Sequence, residues 1–554
     1  MRSLLQKIIN KSFFIYLVSI FLIVLLIFLT FDGIKSLYFL QDEWLGFGRL
    51  QYLGIKKVWI PDGGNHILPL SSIFFYLENK IFGLNQIGYI YTALFLHTLA
   101  SLGIYTVFRK IFKNNLVGLS AALIFASSFI SHQTVSWFGV AHTTILSTIF
   151  ALISIYSFSR YLSLPKNKTK YLNYCFLALF VSLLSKEDTI TLFLFYPLAS
   201  YIYNKKFMPD VLKRSVVFGI IYLVLRFEFM GSIDPSVHVV GMVRLISIIK
   251  NVITFPLVGF SQLFFPNNTI AGMNGWLQRT ITWSGLSGVP DGDLTNFFVT
   301  TNFNWVSIAL SLCLIIFAIA YLFMSKNGNK KKVIQILLLF CLLSFFPYTL
   351  IYASEGLESR HFYFPMVGGS VSIACVIYLY SKHFKNLILR FVLLVAFLVY
   401  IVNNINLVRN YTKKLAELSY PRIKAVSEIQ SLYRNVSKKS IFFITADIPF
   451  FLPTNPLPFQ QGNGYTMMVL FSNMNNYSEL LKRNFLWDLG SQGYYEEGDT
   501  GFGFFADEKM FIESFEKSDL KYENIFAGFW VSKEMRLDDR TNEYRKLFEA
   551  NNYK

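Results

Sequence analysis

Ser12-Phe-Phe-Ile-Tyr-Leu-Val-Ser-Ile-Phe-Leu-Ile-Val-Leu-Leu-Ile-Phe-Leu-Thr30-Phe31 carries no charge and follows Lys7 and Lys11. A helix needs about 20 mostly apolar residues to cross the hydrocarbon layer of a bilayer, and this stretch has that length. It is too long for a signal-peptide core and no small-residue cleavage site follows it, so it reads as a retained anchor. The same pattern returns near residues 87–108, 115–132, 137–160, 171–185, 188–203, 213–230, 303–324, 333–352, 363–381 and 387–404. With the first stretch these make about eleven expected spans. The stretch 246–265, interrupted by Pro256, reads as a re-entrant or interfacial helix.

The connections between these runs alternate in charge. Basic ones hold Arg2, Lys7 and Lys11; Arg109, Lys110 and Lys113; Lys166, Lys168 and Lys170; Lys205, Lys206, Lys213 and Arg214; Lys326 and Lys330–Lys332; Lys382, Lys385 and Arg390. Short loops rich in Lys and Arg stay in the cytoplasm. That leaves Gln41-Asp42-Glu43-Trp44, Ser185-Lys186-Glu187-Asp188, Arg226 and Glu355–Tyr363 together on the outer side.

Composition agrees with a multi-pass membrane protein that has room for a soluble domain: 54% of the 554 residues are hydrophobic. The net charge of +18 lies mostly in the cytoplasmic loops, which meets topology and anionic headgroups rather than nucleic acid. Cys175, Cys313, Cys341 and Cys375 fall inside apolar runs without metal-type spacing and read as small core side chains. The expected fold is a polytopic α-helical membrane domain, 1–404, with outer loops at 32–86 and 231–302. An extracytoplasmic α/β domain, 405–554, follows it. In that domain Arg422–Arg434, Tyr477–Arg483 and Lys509–Lys517 read as helices, and Ile441–Ile444, Met467–Phe471 and Ile525–Val531 as buried strands.

Several outer-side residues could carry chemistry. Asp42 and Glu43 offer carboxylates to an acceptor proton or hard oxygen ligands to a divalent cation (Mg2+ or Mn2+); the bland alternative is a solvated helix cap. Lys186, with Glu187 and Asp188, fills a tight connection between two spans. A charged hairpin tip is ordinarily just solvated, but an outer lysine runs against the charge bias and suits a phosphate. Arg226 lies inside an apolar run, where it either snorkels or binds an anion. Arg360 can grip a phosphate in a two-pronged fork with His361 as a second donor, or be neutralised by Glu355 and Glu358. His66 and His132 stand on the same side, where isolated histidines are more often structural.

These residues also carry a resemblance. Asp42-Glu43, then Asn65-His66-Ile-Leu-Pro69-Leu70, Phe82-Gly-Leu-Asn85, Leu94-Phe-Leu-His97, Ser185-Lys186-Glu187, Leu225-Arg226 and Arg360-His361-Phe-Tyr363-Phe-Pro365 follow one another in order. Over roughly residues 30–380 the chain resembles the class C (GT-C) integral-membrane glycosyltransferases. The likeness is to the protein O-mannosyltransferases and the tetratricopeptide-bearing transmembrane mannosyltransferases. It departs from them at Gln133, where relatives tend to have an acid, at His66, and in a C-terminal domain that is not a run of repeats.

The resemblance implies transfer of a sugar, a mannose-like hexose or another, from a polyprenyl-phosphate donor to a protein, lipid or glycan acceptor. The reaction would run on the extracytoplasmic face of a membrane. The Phe-, Ile-, Lys- and Asn-rich composition points to a prokaryotic plasma membrane, and inversion at the anomeric carbon follows from the lack of a separate candidate nucleophile. Asp42 is then the expected base, with Glu43 second. Lys186, Arg226, Arg360 and His361 would hold the donor phosphate. Trp44, His66, His132, Gln133, Glu187, Asp188, Glu358 and Tyr363 would frame the substrate. The competing class is a transporter or flippase of a lipid-linked sugar, which should instead place ionisable residues near midspan.

Overall fold

The computed structural model describes residues 11–59, 66, 68–164, 168–230, 242–265, 269–270, 273, 301–325, 327–350, 357–383, 386–434, 436–447, 463–471, 492–551 and 553. Its helices are α1 (Lys11–Thr30), α2 (Gln41–Leu53), α3 (Pro69–Phe82), α4 (Gln86–Phe112), α5 (Asn115–Ala126), α6 (Leu146–Ser163), α7 (Lys168–Leu183) and α8 (Leu192–Asn204). They continue with α9 (Pro209–Met230), α10 (Met242–Gln262), α11 (Thr301–Met324), α12 (Gly328–Leu343), α13 (Tyr363–His383) and α14 (Leu387–Leu432). A helix occupies each of the eleven expected spans. Seven helical segments among the described residues are both long and apolar enough to cross a membrane. Large apolar side chains such as Phe21 on α1 and Phe317 on α11 stand exposed, as lipid-facing residues do. The protein is a multi-pass α-helical membrane protein with a small C-terminal sheet domain.

The chain forms two compact units: one of residues 1–32, 59–74 and 90–411, the other of 33–58, 75–89 and 412–554. The second therefore takes in α2 as well as the C-terminal domain. In the first unit α6 packs along α7 and α13 along α5. Side-chain hydrogen bonds lace α6 to α7: Ser182 Oγ donates to the Ser147 carbonyl at 2.7 Å, and Ser154 Oγ to the Cys175 carbonyl at 2.7 Å. Buried hydroxyls of this kind satisfy themselves on carbonyls of a neighbouring helix. α10 is a continuous helix through Pro256, covering the stretch expected to be interfacial or re-entrant.

The second unit holds a five-stranded sheet in the order β2-β3-β1-β4-β5, with β1 Lys439–Ala446, β2 Gly493–Glu497, β3 Thr500–Phe505, β4 Ile525–Val531 and β5 Arg536–Asp539. β1 runs parallel to β3 and β4, and each outer strand closes an antiparallel hairpin. Because a central parallel strand is covered on both faces, Ile441–Ile444 forms an unbroken apolar run. Ile441 and Phe443 meet Phe511, Phe515 and Phe548 on one face. Phe442 stacks on Phe471, Phe502 and Phe526 on the other.

Three sequence expectations for this domain need comment. Met467–Phe471 is not a strand: Asn463–Leu470 is a helix, α15, packed against α2. A five-residue apolar run fits either element, and the close partner decides. Tyr52 Oη donates to the Met468 carbonyl at 3.3 Å. At Gly48 of α2 an added Cβ would lie 3.1 Å from the Tyr465 ring, so the missing side chain permits the approach. Arg422–Arg434 is no separate helix for most of its length, because α14 runs unbroken from Leu387 to Leu432. Tyr477–Arg483 lies outside the described residues.

Candidate functional site: an ionic cluster at helix ends

The connection between α7 and α8 is fixed before any charge is considered. Ser71 Oγ donates to the Ser185 carbonyl at 2.9 Å, and Leu70 N–H to the Leu184 carbonyl at 3.1 Å. Ser147 Oγ donates to the Lys186 carbonyl at 3.2 Å, and Ser182 and Thr189 share a hydroxyl contact of 2.8 Å. The turn is thus clamped from α3, α6 and α7, and its three charged side chains project from a rigid base.

Each cation meets a carboxylate. Lys186 Nζ lies 3.3 Å from Asp188 Oδ2 and donates to Thr144 Oγ1 at 2.7 Å. Arg226, near the end of α9, donates to Glu187 Oε1. His66 Nδ1 stands 3.0 Å from the other Glu187 oxygen. Burial works to raise the Glu187 pKa, but His66 and Arg226 outweigh it and hold the carboxyl at about 2. Burial works to lower the His66 pKa, and the Glu187 carboxylate turns it upward. Arg360 Nε pairs with Glu358 Oε2 at 2.9 Å, and its guanidinium lies 4.7 Å over the Trp137 ring.

The approach to α13 is held just as firmly. Arg360 N–H donates to Gln133 Oε1, and Gln133 N–H to Ser359 Oγ, each at 3.2 Å. His361 Nδ1 accepts the Glu358 N–H at 3.0 Å, so only its Nε2 is left to face a ligand, and its ring packs on Tyr348. Lys186, Arg360 and His66 all lie within electrostatic reach of His361. Tyr348 lies beside Asp188, and Tyr222 beside Arg226.

The remaining sequence candidates have their own surroundings, and His132 Nδ1 lies 3.3 Å from Ser359 Oγ. Tyr363 is fully buried and bonds His97 Nδ1 at 2.7 Å. His132 stacks on Phe129 and meets Tyr411 edge-on in the core. In the second unit Trp44 is buried among Tyr38, Phe39 and Phe47. Glu43 is also buried there: it accepts the Leu40 N–H at 2.9 Å, capping α2, and lies within electrostatic reach of Arg422. The Asp42 side chain lies outside the described residues, as does Glu355. No group of three His, Cys, Asp or Glu side chains suited to a metal ion occurs among the described residues.

Sequence reading passed over Thr144, Trp137, Tyr222 and Tyr348. All sit in runs that look like ordinary span. The one local signal is Ala141-His-Thr-Thr-Ile145, which forms a turn of π-helix, a feature frequent at functional sites.

Fold and site together define a multi-pass helical membrane protein with an ordered cluster of cations and carboxylates at its helix ends. Residues 68–229 match the family described as dolichyl-phosphate-mannose-protein mannosyltransferase. That segment, which includes Lys186, Glu187, Asp188 and Arg226, is related to glycosyltransferases, as the resemblance in the sequence indicated. No curated protein matches the chain. Among solved structures, the apo Archaeoglobus fulgidus oligosaccharyltransferase is similar at TM-score 0.40 and 12% identity, covering 76% of this chain and 58% of that one. ArnT from Cupriavidus metallidurans in the apo state is similar at TM-score 0.38 and 12% identity, covering 93% and 92%. ArnT bound to undecaprenyl phosphate gives TM-score 0.34 and 11% identity, covering 82% and 84%. The chain thus spans less than two thirds of the archaeal enzyme's length.

Proposed function

We propose that the protein transfers a sugar, a mannose-like hexose or another, from a polyprenyl-phosphate donor to a hydroxyl of a protein, lipid or glycan acceptor on the extracytoplasmic side. The observation that carries this reading is the trio Lys186, Arg226 and Arg360, each steadied by a carboxylate at a helix end. A lipid phosphate gains charge as its bond to the anomeric carbon breaks. Fixed cations that need no rearrangement at that moment stabilise it. The pairing carboxylates set the geometry in which the cations meet phosphate oxygens.

The base that takes the acceptor proton is assigned to Asp42 on the sequence motif alone. Glu43, bound to its own helix cap, is the second choice. A single displacement of the phosphate inverts the anomeric carbon. A divalent cation is the alternative use of the acidic pair, and chelator sensitivity of transfer separates the two.

The test is incubation of membranes containing the protein with a panel of radiolabelled polyprenyl-phosphate sugars, comparing wild type with Asp42→Asn and Arg226→Ala. Release of label from lipid by wild type, lost in Asp42→Asn, supports the assignment. Movement of the intact lipid-linked sugar across the bilayer without release would replace it with the flippase reading.

A further inference from the structure

We infer that Thr144 is a positioning residue that aims the Lys186 ammonium at the donor phosphate, an inference that rests on the function proposed above. A lysine ammonium has three N–H donors on a flexible four-carbon stem. Here one is donated to Thr144 Oγ1 at 2.7 Å, and the ammonium as a whole is paired by charge with Asp188 Oδ2 at 3.3 Å. The bond to Thr144 fixes the rotation of the ammonium, and with it the directions of its other two N–H groups.

The hydroxyl that orients the lysine is itself held in place. Thr144 is fully buried in the π-helical turn Ala141–Ile145, its carbonyl accepting Thr148 Oγ1 at 2.9 Å. Ser71 shares its one hydroxyl proton between the His142 carbonyl of the same turn at 3.1 Å and the Ser185 carbonyl at 2.9 Å. One serine therefore ties the turn that carries the acceptor to the turn that carries the ammonium. The Lys186 backbone is fixed at its carbonyl by Ser147. A side chain held at both ends has lost its rotamer freedom before the ligand arrives, so ordering it subtracts nothing from binding. Asp188 alone would restrain the ammonium by charge, which is weakly directional; the hydroxyl adds the direction.

The experiment separates the oxygen from the shape. Thr144→Val keeps the volume and removes the acceptor, whereas Thr144→Ser keeps the acceptor and removes a methyl. With the full-length protein in detergent, we would measure binding of unmodified polyprenyl phosphate, together with kcat and KM for the donor. Expected are a rise of about tenfold in Kd and donor KM for Thr144→Val, with kcat changed much less, and values within about twofold of wild type for Thr144→Ser. In a Lys186→Met background, Thr144→Val should add no further loss. Equal impairment by Val and Ser, or a full additional loss in the Lys186→Met background, would show that Thr144 acts through packing and overturn the inference. Failure of the wild type to bind polyprenyl phosphate or transfer sugar would overturn the proposed function, and the inference with it. Wild-type binding unchanged by Thr144→Val would remove the inference alone.

Discussion

Arg226 and Glu187 form an ion pair between the end of one helix and the connection joining two others. Neither residue is close to the other in sequence, and both side chains are largely buried, at 24% and 15% exposure. A pair of this kind is costly to break from one side, because the remaining charge keeps its desolvation without its partner. Glu187→Gln should destabilise the detergent-solubilised protein by about 1–3 kcal/mol, read as a lower unfolding temperature. It should also raise donor KM, since Arg226 would lose its anchor. An unchanged KM would separate Arg226 from the donor.

His66 makes this pair pH-dependent. Its folded pKa is raised above the ordinary 6.5, so its contribution is complete below about that value and is lost as pH rises through the raised one. Glu187, held at about 2 against an ordinary 4.5, contributes fully above 4.5 and loses its contribution as pH falls toward 2. The stability gap between wild type and His66→Gln should therefore be widest between pH 4.5 and 6.5 and narrow above that window. A gap that does not vary with pH would mean that His66 acts by packing.

Asp42→Asn and Glu43→Gln should part company. Loss of a general base lowers turnover by about 100-fold to 10,000-fold, and Asp42→Asn should do so with donor binding intact. Glu43→Gln can still accept the Leu40 N–H and loses mainly its charge toward Arg422, so it should lower stability more than turnover. The reverse ranking in a single-turnover assay would move the base to Glu43.

In the C-terminal domain Gly501 lies under Tyr494 of the paired strand, where a Cβ would overlap the Tyr494 hydroxyl. Gly501→Ala should cost about 1–3 kcal/mol by overpacking. Tyr494→Phe, which removes the overlapping oxygen, should recover part of that loss in thermal unfolding of the double variant.

Much of the membrane domain could be read from the sequence because a span declares itself by length: a helix lies in each expected run, although the one at 115–132 ends at Ala126 and the one at 333–352 at Leu343. The C-terminal domain was harder. Its β2–β3 hairpin escaped notice because Gly501 and Gly503 look like loop punctuation, although they are strand residues that make room for Tyr494. Met467–Phe471 was too short to announce its period. At the site, the charged candidates stood out against an apolar background, so Lys186, Arg226 and Arg360 were visible. Their pairings were not, since Arg226 meets Glu187 and Gln133 meets Arg360 only once distant helix ends converge. Thr144 was invisible for the opposite reason: inside a span, one hydroxyl among many carries no mark of which will hold a lysine.

The Tyr38 N–H donates to Ser419 Oγ across 381 residues of sequence. α2 and its flanking segment emerge from the ribosome soon after the first span, yet the residues they pack on are among the last to be made. Throughout most of synthesis Tyr38, Gly48 and Tyr52 of that early segment lack their late-made neighbours Ser419, Tyr465 and Met468. A chain truncated before residue 412 would thus lose more than its C-terminal sheet domain: it would also strip the segment bearing the acidic motif of part of its packing. Activity lost on such a deletion would accordingly say nothing about whether the C-terminal domain touches the acceptor, and point substitutions within the sheet are the cleaner probe.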